Sequence, residues 1–423
     1  MEYHEDRQGK DEQPVESEER YSFMQETIKD EHGGRKTRNL ILKYAGLGLV
    51  FGFAASLGFC ALKPWAETKF SGNPEQVTIP EEEVEEVPQD DAEEVQTPVF
   101  TINSYRELNR QMVDVATDAE RCVVEIDGIG EGGEQLTEAY DSGNSVSGLI
   151  VADNGQELLI FAKSSVAKDA QGFRAVFTDG KSYEAQLKAR DENLGFGIFG
   201  VKRSDIQDST WNQVKVAALG SSSSMSKGEM VIALGNPFAY PDGMGFGIVA
   251  SSRNTVLKTD GEYKILCTDI GASHRGTGVL VNANGEVVGM IDQTISDSDS
   301  MNLVTAYGIS DLKRMIELLS NGKDVPYLGI TGITVTESIA EEQGIPQGIY
   351  VQDVRADSPA MAAGIQRGDI ITSFDREAVT VLSGYHSQLM KSKVGDEVKI
   401  GGQRQGNGGY VDIEFTVTIG SKK

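Results

Sequence analysis

The sequence predicts a mostly β protein that is preceded by a single transmembrane helix. Between residues 121 and 308, many short runs rich in β-branched and aromatic residues are separated by turns of glycine, aspartate, asparagine and serine. Short strands at regular spacing are typical of a pair of β-barrels or a β-sandwich. Upstream, residues 44–62 form a stretch of 19 residues without a charge, which is long enough to cross the hydrocarbon core of a bilayer.

The segments before the folded part predict a membrane-anchored topology. Residues 1–38 are polar, mix both charges and show no periodicity, so we expect a disordered cytoplasmic tail. Basic residues cluster just before the apolar stretch, and an acidic run follows it. By the positive-inside rule this predicts a signal-anchor helix at 39–63, a single pass through the cell membrane and extracytoplasmic C-terminal domains. Residues 64–98, rich in acidic residues and proline, predict an extended linker.

Composition limits the chemistry that the chain can carry. It has 39 basic and 65 acidic residues and a net charge of −26. This balance argues against a nucleic-acid binder, because phosphate neutralisation requires clustered lysine and arginine. The four histidines are scattered along the chain, and the three cysteines form no CxxC pair. We therefore expect neither a metal site nor a cofactor.

The folded part is expected to begin with a short helix that Ser104 caps. One face of this helix carries Tyr105, Leu108, Met112 and Val115. A series of strand-like runs follows, and a helix at Ser310–Ser320 comes after it. The runs are CVVEIDGI, SGLIVAD, ELLIFA, FRAVFTDG, SYEAQLKARD, GFGIFGVK, MVIALGNPF, GIVASS, KILCTDI, GVLVNANGEVVGMID and LVTAYGI.

Several of these runs resemble the HtrA/Do family of trypsin-like serine proteases. VKVAALGSSSSMSKGEMVIALGNPF, followed by FGIVASS, is similar to the family's second barrel, and TDGKSYEAQLKARDENLGFGIFGV to the segment around its catalytic aspartate. LCTDIGASHRGTGVLVNANGEVVGM resembles the segment around its catalytic serine, and TAYGISDLKRMIELL resembles its closing helix. The resemblance runs in order from about Arg121 to Ser320. It implies a trypsin-like double β-barrel within a domain at residues 99–320.

Residues 326–420 resemble the α+β PDZ domain that follows the protease in this family. YLGI, GIYVQDVRADSPAMAAGIQRGDIITSFD and VGDEVKI carry the resemblance. It implies that Tyr327, Leu328, Gly329 and Ile330 form the loop whose backbone N–H groups hold the C-terminal carboxylate of a peptide. The expected partners are protein C-termini or extended, unfolded peptides. The resemblance also implies a homo-oligomer, in the form of a trimer.

The resemblance further implies that the catalytic triad is replaced. The family's histidine position falls on Ser164 in LLIFAKSSVA, and its aspartate position falls on Asn193. Its serine position falls on Gly276 in HRGTGVL, in a segment about one residue shorter than in the family. A serine hydroxyl is a weak nucleophile without an imidazole to take its proton. No catalytic residue is therefore expected to be intact.

Other registers do not restore a triad. Residues 120–205, the expected first barrel, contain no histidine. Ser273 and His274 are neighbours, so in an extended loop they point to opposite sides, and Thr277 has no base in its motif. We therefore expect a pseudoprotease that acts as a peptide-binding scaffold or quality-control regulator. The alternative is an active HtrA-type serine endopeptidase that degrades misfolded envelope proteins.

Cys122 and Cys267 leave two interpretations open. Outside the membrane the pair can form a disulfide, provided that the two Cα atoms lie within about 7 Å of each other. They can equally be two small apolar side chains of the interior.

Overall fold

In a computed structural model of the chain, the described residues are 101–130, 144–168, 170–296 and 302–422, together with residue 78 and eight positions between 46 and 56. Those eight positions are helical. Within the described part of the chain, no helix is long and apolar enough to cross a membrane. Most of the predicted transmembrane segment, and nearly all of the predicted tail and linker, lie outside the described residues.

Helix α1, Ile102–Glu120, has Thr101 rather than Ser104 as its N-cap. The Thr101 hydroxyl accepts the N–H of Ser104 at 3.2 Å, and the Ser104 hydroxyl accepts the N–H of Thr101 at 3.3 Å. These reciprocal bonds satisfy N–H groups that a helix start leaves unpaired. The second half of the helix is packed, with Ala116 fully buried, whereas Tyr105 in the first half is exposed.

The first barrel is closed, with antiparallel strands in the order β1-β2-β3-β6-β5-β4. The strands are β1 (Val123–Ile129), β2 (Ser145–Asp153), β3 (Glu157–Lys163), β4 (Gly172–Val176), β5 (Ser182–Asp191) and β6 (Phe196–Lys202). Side chains that alternate along the strands fill its interior, and Ile126, Ile160 and Phe199 are fully buried there. A short 3₁₀ turn, Ser164–Ala167, follows β3.

The second barrel is also closed, in the order β10-β11-β12-β9-β8-β7. The strands are β7 (Met230–Asn236), β8 (Gly243–Lys258), β9 (Gly261–Gly271), β10 (Thr277–Asn282), β11 (Val287–Asp292) and β12 (Leu303–Gly308). The barrels are joined by a 3₁₀ turn at Arg203–Asp205 and the short helix α2, Asp208–Trp211. A further 3₁₀ turn, Gln293–Ile295, follows β11, and helix α3, Ile309–Ser320, follows β12.

The two barrels share one hydrophobic core. Phe196 of the first barrel stacks on Phe161 with ring centroids 4.9 Å apart and meets the edge of Tyr307 of the second barrel at 5.8 Å. All three rings are buried, and Leu312 and Ile316 of α3 belong to the same cluster. The predicted mostly β class is confirmed, and the two barrels decide between the barrel pair and the sandwich.

The C-terminal domain is a six-stranded sheet with three short helices. Its strands are β13 (Ile330–Val335), β14 (Gly348–Val354), β15 (Ile370–Phe374), β16 (Glu377–Ala378), β17 (Glu397–Gly406) and β18 (Gly409–Thr418). Its helices are α4 (Glu337–Gln343), α5 (Pro359–Ala363) and α6 (Leu382–Lys391). The main path is β13-β14-β15-β17-β18, and β16 pairs with β15. Ile349, Phe374 and Tyr385 are buried at the centre.

The shared core makes a stability prediction. Phe196→Ala should lower the free energy of unfolding by about 3–5 kcal/mol, because it leaves a cavity between the barrels. Urea denaturation followed by circular dichroism measures this. Tyr240→Ala is the control, since its ring is 72% exposed and its loss should cost less than about 0.5 kcal/mol. Equal stability of the two variants would mean that the shared core contributes nothing.

Candidate functional site

A cleft of about 230 Å³ lies between the two barrels. The first barrel contributes residues from β1, the start of β2 and the end of β3. The second barrel contributes the loop after β7, the loop before β10 and the turn after β11. Gly276, the predicted nucleophile position, lines this cleft. The other side chains of the cleft therefore decide what chemistry it can perform.

An ion pair crosses the cleft from one barrel to the other. Nζ of Lys163, at the end of β3, donates to Oδ2 of Asp292, at the end of β11, at 2.5 Å. Their side chains are 14% and 3% exposed. Oδ1 of Asp292 accepts the N–H and the hydroxyl of Thr294 at 2.9 and 2.7 Å. Removing Lys163 would leave the buried carboxylate of Asp292 without its ion-pair partner, so the pair links the two barrels.

The loop at the nucleophile position is folded back on itself. The N–H of Gly276 donates to the carbonyl oxygen of Ser273 at 2.8 Å, and the N–H of Ser273 donates to that of Pro237 at 2.9 Å. A Cβ added to Gly276 would lie 2.4 Å from the Pro237 oxygen and 2.9 Å from the Ser273 oxygen. The loop thus has no room for a side chain here. The Gly276 N–H, which the family resemblance would assign to an oxyanion hole, is already bonded.

The predicted histidine position, Ser164, lies in the 3₁₀ turn after β3. Ser164 is half-buried, and its N–H donates to the carbonyl oxygen of Gly195 at 2.9 Å. Ser165 is exposed and lines the cleft, whereas Ser164 does not. Val166, the next residue, is buried. This buried side chain sets the register of the turn, so Ser165 rather than Ser164 faces the cleft.

The predicted aspartate position, Asn193, does not line the cleft. Nδ2 of Asn193 donates to the carbonyl oxygen of Thr259, in the β8–β9 turn, at 2.8 Å. Asp191 is 1% exposed, and its carboxylate accepts the N–H of Leu194 at 2.8 Å. Burial raises the pKa of Asp191 to about 6, against the opposing effect of the N–H groups that it accepts. The structure therefore brings Gly276 into the cleft and directs Asn193 elsewhere.

Thr277 and His274, a hydroxyl and an imidazole on the second-barrel side of the cleft, do not pair as a nucleophile and base. Oγ1 of Thr277 accepts the N–H of Ser147 at 2.9 Å, which ties it into the contact between β10 and β2. His274 is exposed in the loop before β10, and no hydrogen bond joins it to Thr277 in the described part of the chain. Within the described residues, no group of three or more histidine, cysteine, aspartate or glutamate side chains could hold a metal ion.

The two cysteines of the described residues are free thiols. Cys122 is buried, and its thiol donates to the carbonyl oxygen of Ala119 at 2.9 Å. Burial raises the pKa of Cys122 to about 12, which disfavours the reactive thiolate. Cys267 is partly buried and accepts Nδ2 of Asn254 at 3.5 Å. Of the two interpretations, the structure therefore shows unbridged interior side chains and not the disulfide.

A second candidate site is the loop that precedes β13. Gly329 has a φ of +97°, and a Cβ there would lie 2.2 Å from Cβ of Ser358, so only glycine fits. The N–H groups of Leu328, Gly329 and Ile330 converge on one point. The N–H of Tyr327 does not join this cluster, because it donates to the carbonyl oxygen of Gly420 at 2.9 Å. The N–H of Gly420 donates in turn to the carbonyl oxygen of Tyr327 at 3.0 Å. Three of the four predicted loop residues thus supply a carboxylate cradle.

The cradle already holds a carboxylate, that of Asp260. Asp260 lies in the β8–β9 turn of the second barrel, and Tyr385 of α6 adds its hydroxyl to the contact at 2.8 Å. Neither residue was a candidate in the sequence. The TDG run marks a turn, but nothing in it tells where the tip of the hairpin docks.

Comparisons with known proteins identify two kinds of domain in the chain. The trypsin-like peptidase domain matches residues 146–290, and the PDZ domain matches residues 326–415. The serine protease Do-like HtrB of Bacillus subtilis (strain 168) is 29% identical over 279 residues, which are 62% of this chain and 59% of the relative. The periplasmic serine endoprotease DegP of Escherichia coli (strain K12) is 26% identical over 297 residues, which are 68% of this chain and 59% of DegP. The chain thus spans about three fifths of the length of these curated relatives.

Solved structures share the fold. The HtrA-type protease AlgW with a decapeptide has a TM-score of 0.52 at 20% identity and covers 74% of this chain and 99% of its own. AlgW with a tripeptide has a TM-score of 0.51 at 20% identity and covers 73% of this chain and 97% of its own. At this identity the likeness concerns the fold alone. Together with the domain matches, the relatives confirm the predicted HtrA-family resemblance.

The buried carboxyl of Asp191 predicts a pH dependence of stability. Its pKa in the folded chain, about 6, lies above the ordinary 3.8, so the folded state holds the proton more tightly and stability falls as pH rises from about 4 to about 6. Asp191→Asn removes this loss. Relative to the wild type, the variant should gain about 1 kcal/mol between pH 5 and pH 7.

Urea denaturation at the two pH values measures this gain. Asp205→Asn, at an exposed position, is the control and should show no such gain. A difference between Asp191→Asn and the wild type that does not change with pH would contradict the raised pKa.

Proposed function

Since the chain is related to the HtrA-type serine proteases through a trypsin-like peptidase domain and a PDZ domain, we propose that it is a pseudoprotease. It keeps the double barrel as a scaffold, performs no peptide hydrolysis and binds peptides through its PDZ domain. In this role it acts as a scaffold or a regulator of protein quality control.

One observation carries the loss of hydrolysis, namely the loop at Gly276. This position has no hydroxyl, its N–H is bonded to Ser273, and a Cβ would meet the carbonyl oxygen of Pro237 at 2.4 Å. The ion pair of Lys163 with Asp292 supports the same conclusion, because it occupies the cleft with charges that are bonded to each other. Loss of triad members typically costs about 10⁴–10⁶ in kcat.

Peptide binding is supported by the cradle in the PDZ domain. Three backbone N–H groups that converge on one carboxylate are the arrangement with which this class of domain receives a C-terminal carboxylate. The adjacent strand β13 pairs with β14 on one side, so its other edge can receive an extended peptide as a further strand. The AlgW structures with a decapeptide and a tripeptide are consistent with a peptide ligand.

The site of action that fits this function is the outer side of the cell membrane. The uncharged stretch at residues 44–62, basic before and acidic after, supports a single-pass anchor with a cytoplasmic N-terminus. The periplasmic location of DegP supports an extracytoplasmic position of the two domains. The expected ligands are therefore C-termini or unfolded segments of envelope proteins.

The full chain, purified in detergent, should not cleave unfolded casein above a heat-inactivated control. Gly276→Ser, alone or with Ser165→His, should remain inactive as well, because the loop has no space for the new Cβ. Release of fluorescent fragments from labelled casein measures both.

A control variant tests whether the hydroxyl of Thr277 is the source of any casein cleavage. Thr277→Val removes the one hydroxyl next to the nucleophile position without changing the loop length. Casein cleavage by the wild type that Thr277→Val abolishes would overturn the pseudoprotease and favour an active endopeptidase.

A further inference from the structure

The carboxylate of Asp260 fills the PDZ cradle completely. Oδ2 accepts the N–H groups of Leu328 and Gly329, both at 2.8 Å. Oδ1 accepts those of Gly329 and Ile330 at 3.0 and 3.1 Å and the hydroxyl of Tyr385 at 2.8 Å. Asp260 is 3% exposed. Both oxygens and all the converging donors are therefore committed, and a second carboxylate has no free N–H group to bind.

The backbone of Asp260 also follows the pattern of a bound peptide end. Its N–H donates to the carbonyl oxygen of Ile330, the first residue of β13, at 2.7 Å. Nδ1 of His386 lies 2.8 Å from its carbonyl oxygen, within hydrogen-bond distance. An extended peptide added to a PDZ domain makes the same two types of contact, a carboxylate in the N–H loop and backbone pairing with the strand.

The backbone conformation of the β8–β9 hairpin allows Asp260 to enter the cradle. The φ of Asp260 is +62°, a left-handed conformation in which aspartate and asparagine are tolerated better than most residues. A Cβ at Gly261, the next residue, would lie 2.8 Å from Nδ1 of His386, so glycine allows the close approach. Thr259, the preceding residue, accepts Nε of Arg355 on its hydroxyl at 3.3 Å and Nδ2 of Asn193 on its carbonyl oxygen.

We propose that Asp260 is an internal pseudo-ligand that closes the PDZ domain against the second barrel, so that a peptide with a free C-terminal carboxylate binds only by displacing it. This regulation rests on the proposed function, the capture of peptide C-termini by the same loop. The affinity for a peptide is then reduced by the fraction of molecules in which the cradle is open. A variant that weakens the internal contact gains affinity, although it gains no new contact with the peptide.

The first test needs no peptide. Asp260→Asn keeps the size and the turn preference of the residue and removes its charge, and Asp242→Asn is the matched control, an exposed aspartate at φ +50° in the loop before β8. Hydrogen exchange of the full chain in detergent reports on the amides of Leu328, Gly329 and Ile330. These amides should be protected in the wild type and in Asp242→Asn, and should exchange at least about tenfold faster in Asp260→Asn. Equal exchange in all three proteins would overturn the proposal.

The second test uses peptides. A library of decapeptides with free C-termini, and the same sequences with amidated C-termini, is titrated against the full-length wild type, Asp260→Asn, Asp242→Asn and Tyr385→Phe. Free carboxylates should bind Asp260→Asn at least about tenfold more tightly than the wild type, and amides should show no such gain. Tyr385→Phe keeps the carboxylate and removes one donor, so it shows whether the domain stays folded when the contact is altered.

The outcomes separate this inference from the proposed function. Equal affinity of free carboxylates for the wild type and for Asp260→Asn would overturn displacement by the peptide. If no protein binds any peptide, the capture of C-termini fails, and the hydrogen-exchange result alone decides whether Asp260 closes the cradle.

Discussion

The ion pair of Lys163 and Asp292 joins the two barrels at the point where a serine protease of this fold would carry out its chemistry. Asp292 is buried, at 3% exposed, and Lys163 is partly buried, at 14%. Removal of one partner from such a pair leaves an uncompensated charge in the interior. The cleft is therefore part of what holds the barrels together. In an active site, by contrast, polar groups stay available to a substrate.

At the PDZ cradle, too, a buried charge is satisfied by partners within the protein. Hydrogen bonds offset part of the cost of burying a carboxylate. Asp260 accepts three backbone N–H groups and one hydroxyl, and burial still raises its pKa. One strand links the two sites, since β9 begins at Gly261 beside Asp260 and ends at Gly271 before the loop of Gly276. The molecule thus satisfies internally both positions where its relatives' architecture would receive a substrate or a peptide.

Much of the fold was predictable from the sequence. The contacts that were not predictable depend on tertiary packing. Short alternating strands and motifs in family order predict the barrels, and the HRGTGVL run predicts Gly276 in the cleft. Ser164 and Asn193, the expected histidine and aspartate positions, are not among the residues that line the cleft. For the turn after β3, the neighbour that is buried, Val166, decides which serine faces the cleft. The contact of Asp260 with Leu328 spans 68 residues, and only the docking of one domain on another brings it about.

Labelling with a fluorophosphonate, which reacts with activated serine hydroxyls, tests the proposed loss of catalysis most directly. The full chain in detergent is incubated with the probe beside an active serine protease, and the labelled residue is located by mass spectrometry. The account predicts labelling no greater than in the heat-denatured chain, because Gly276, at the proposed nucleophile position, has no hydroxyl and residues 120–205 contain no histidine to activate a neighbouring one. Stoichiometric labelling of Ser164, Ser165 or Thr277 would contradict it.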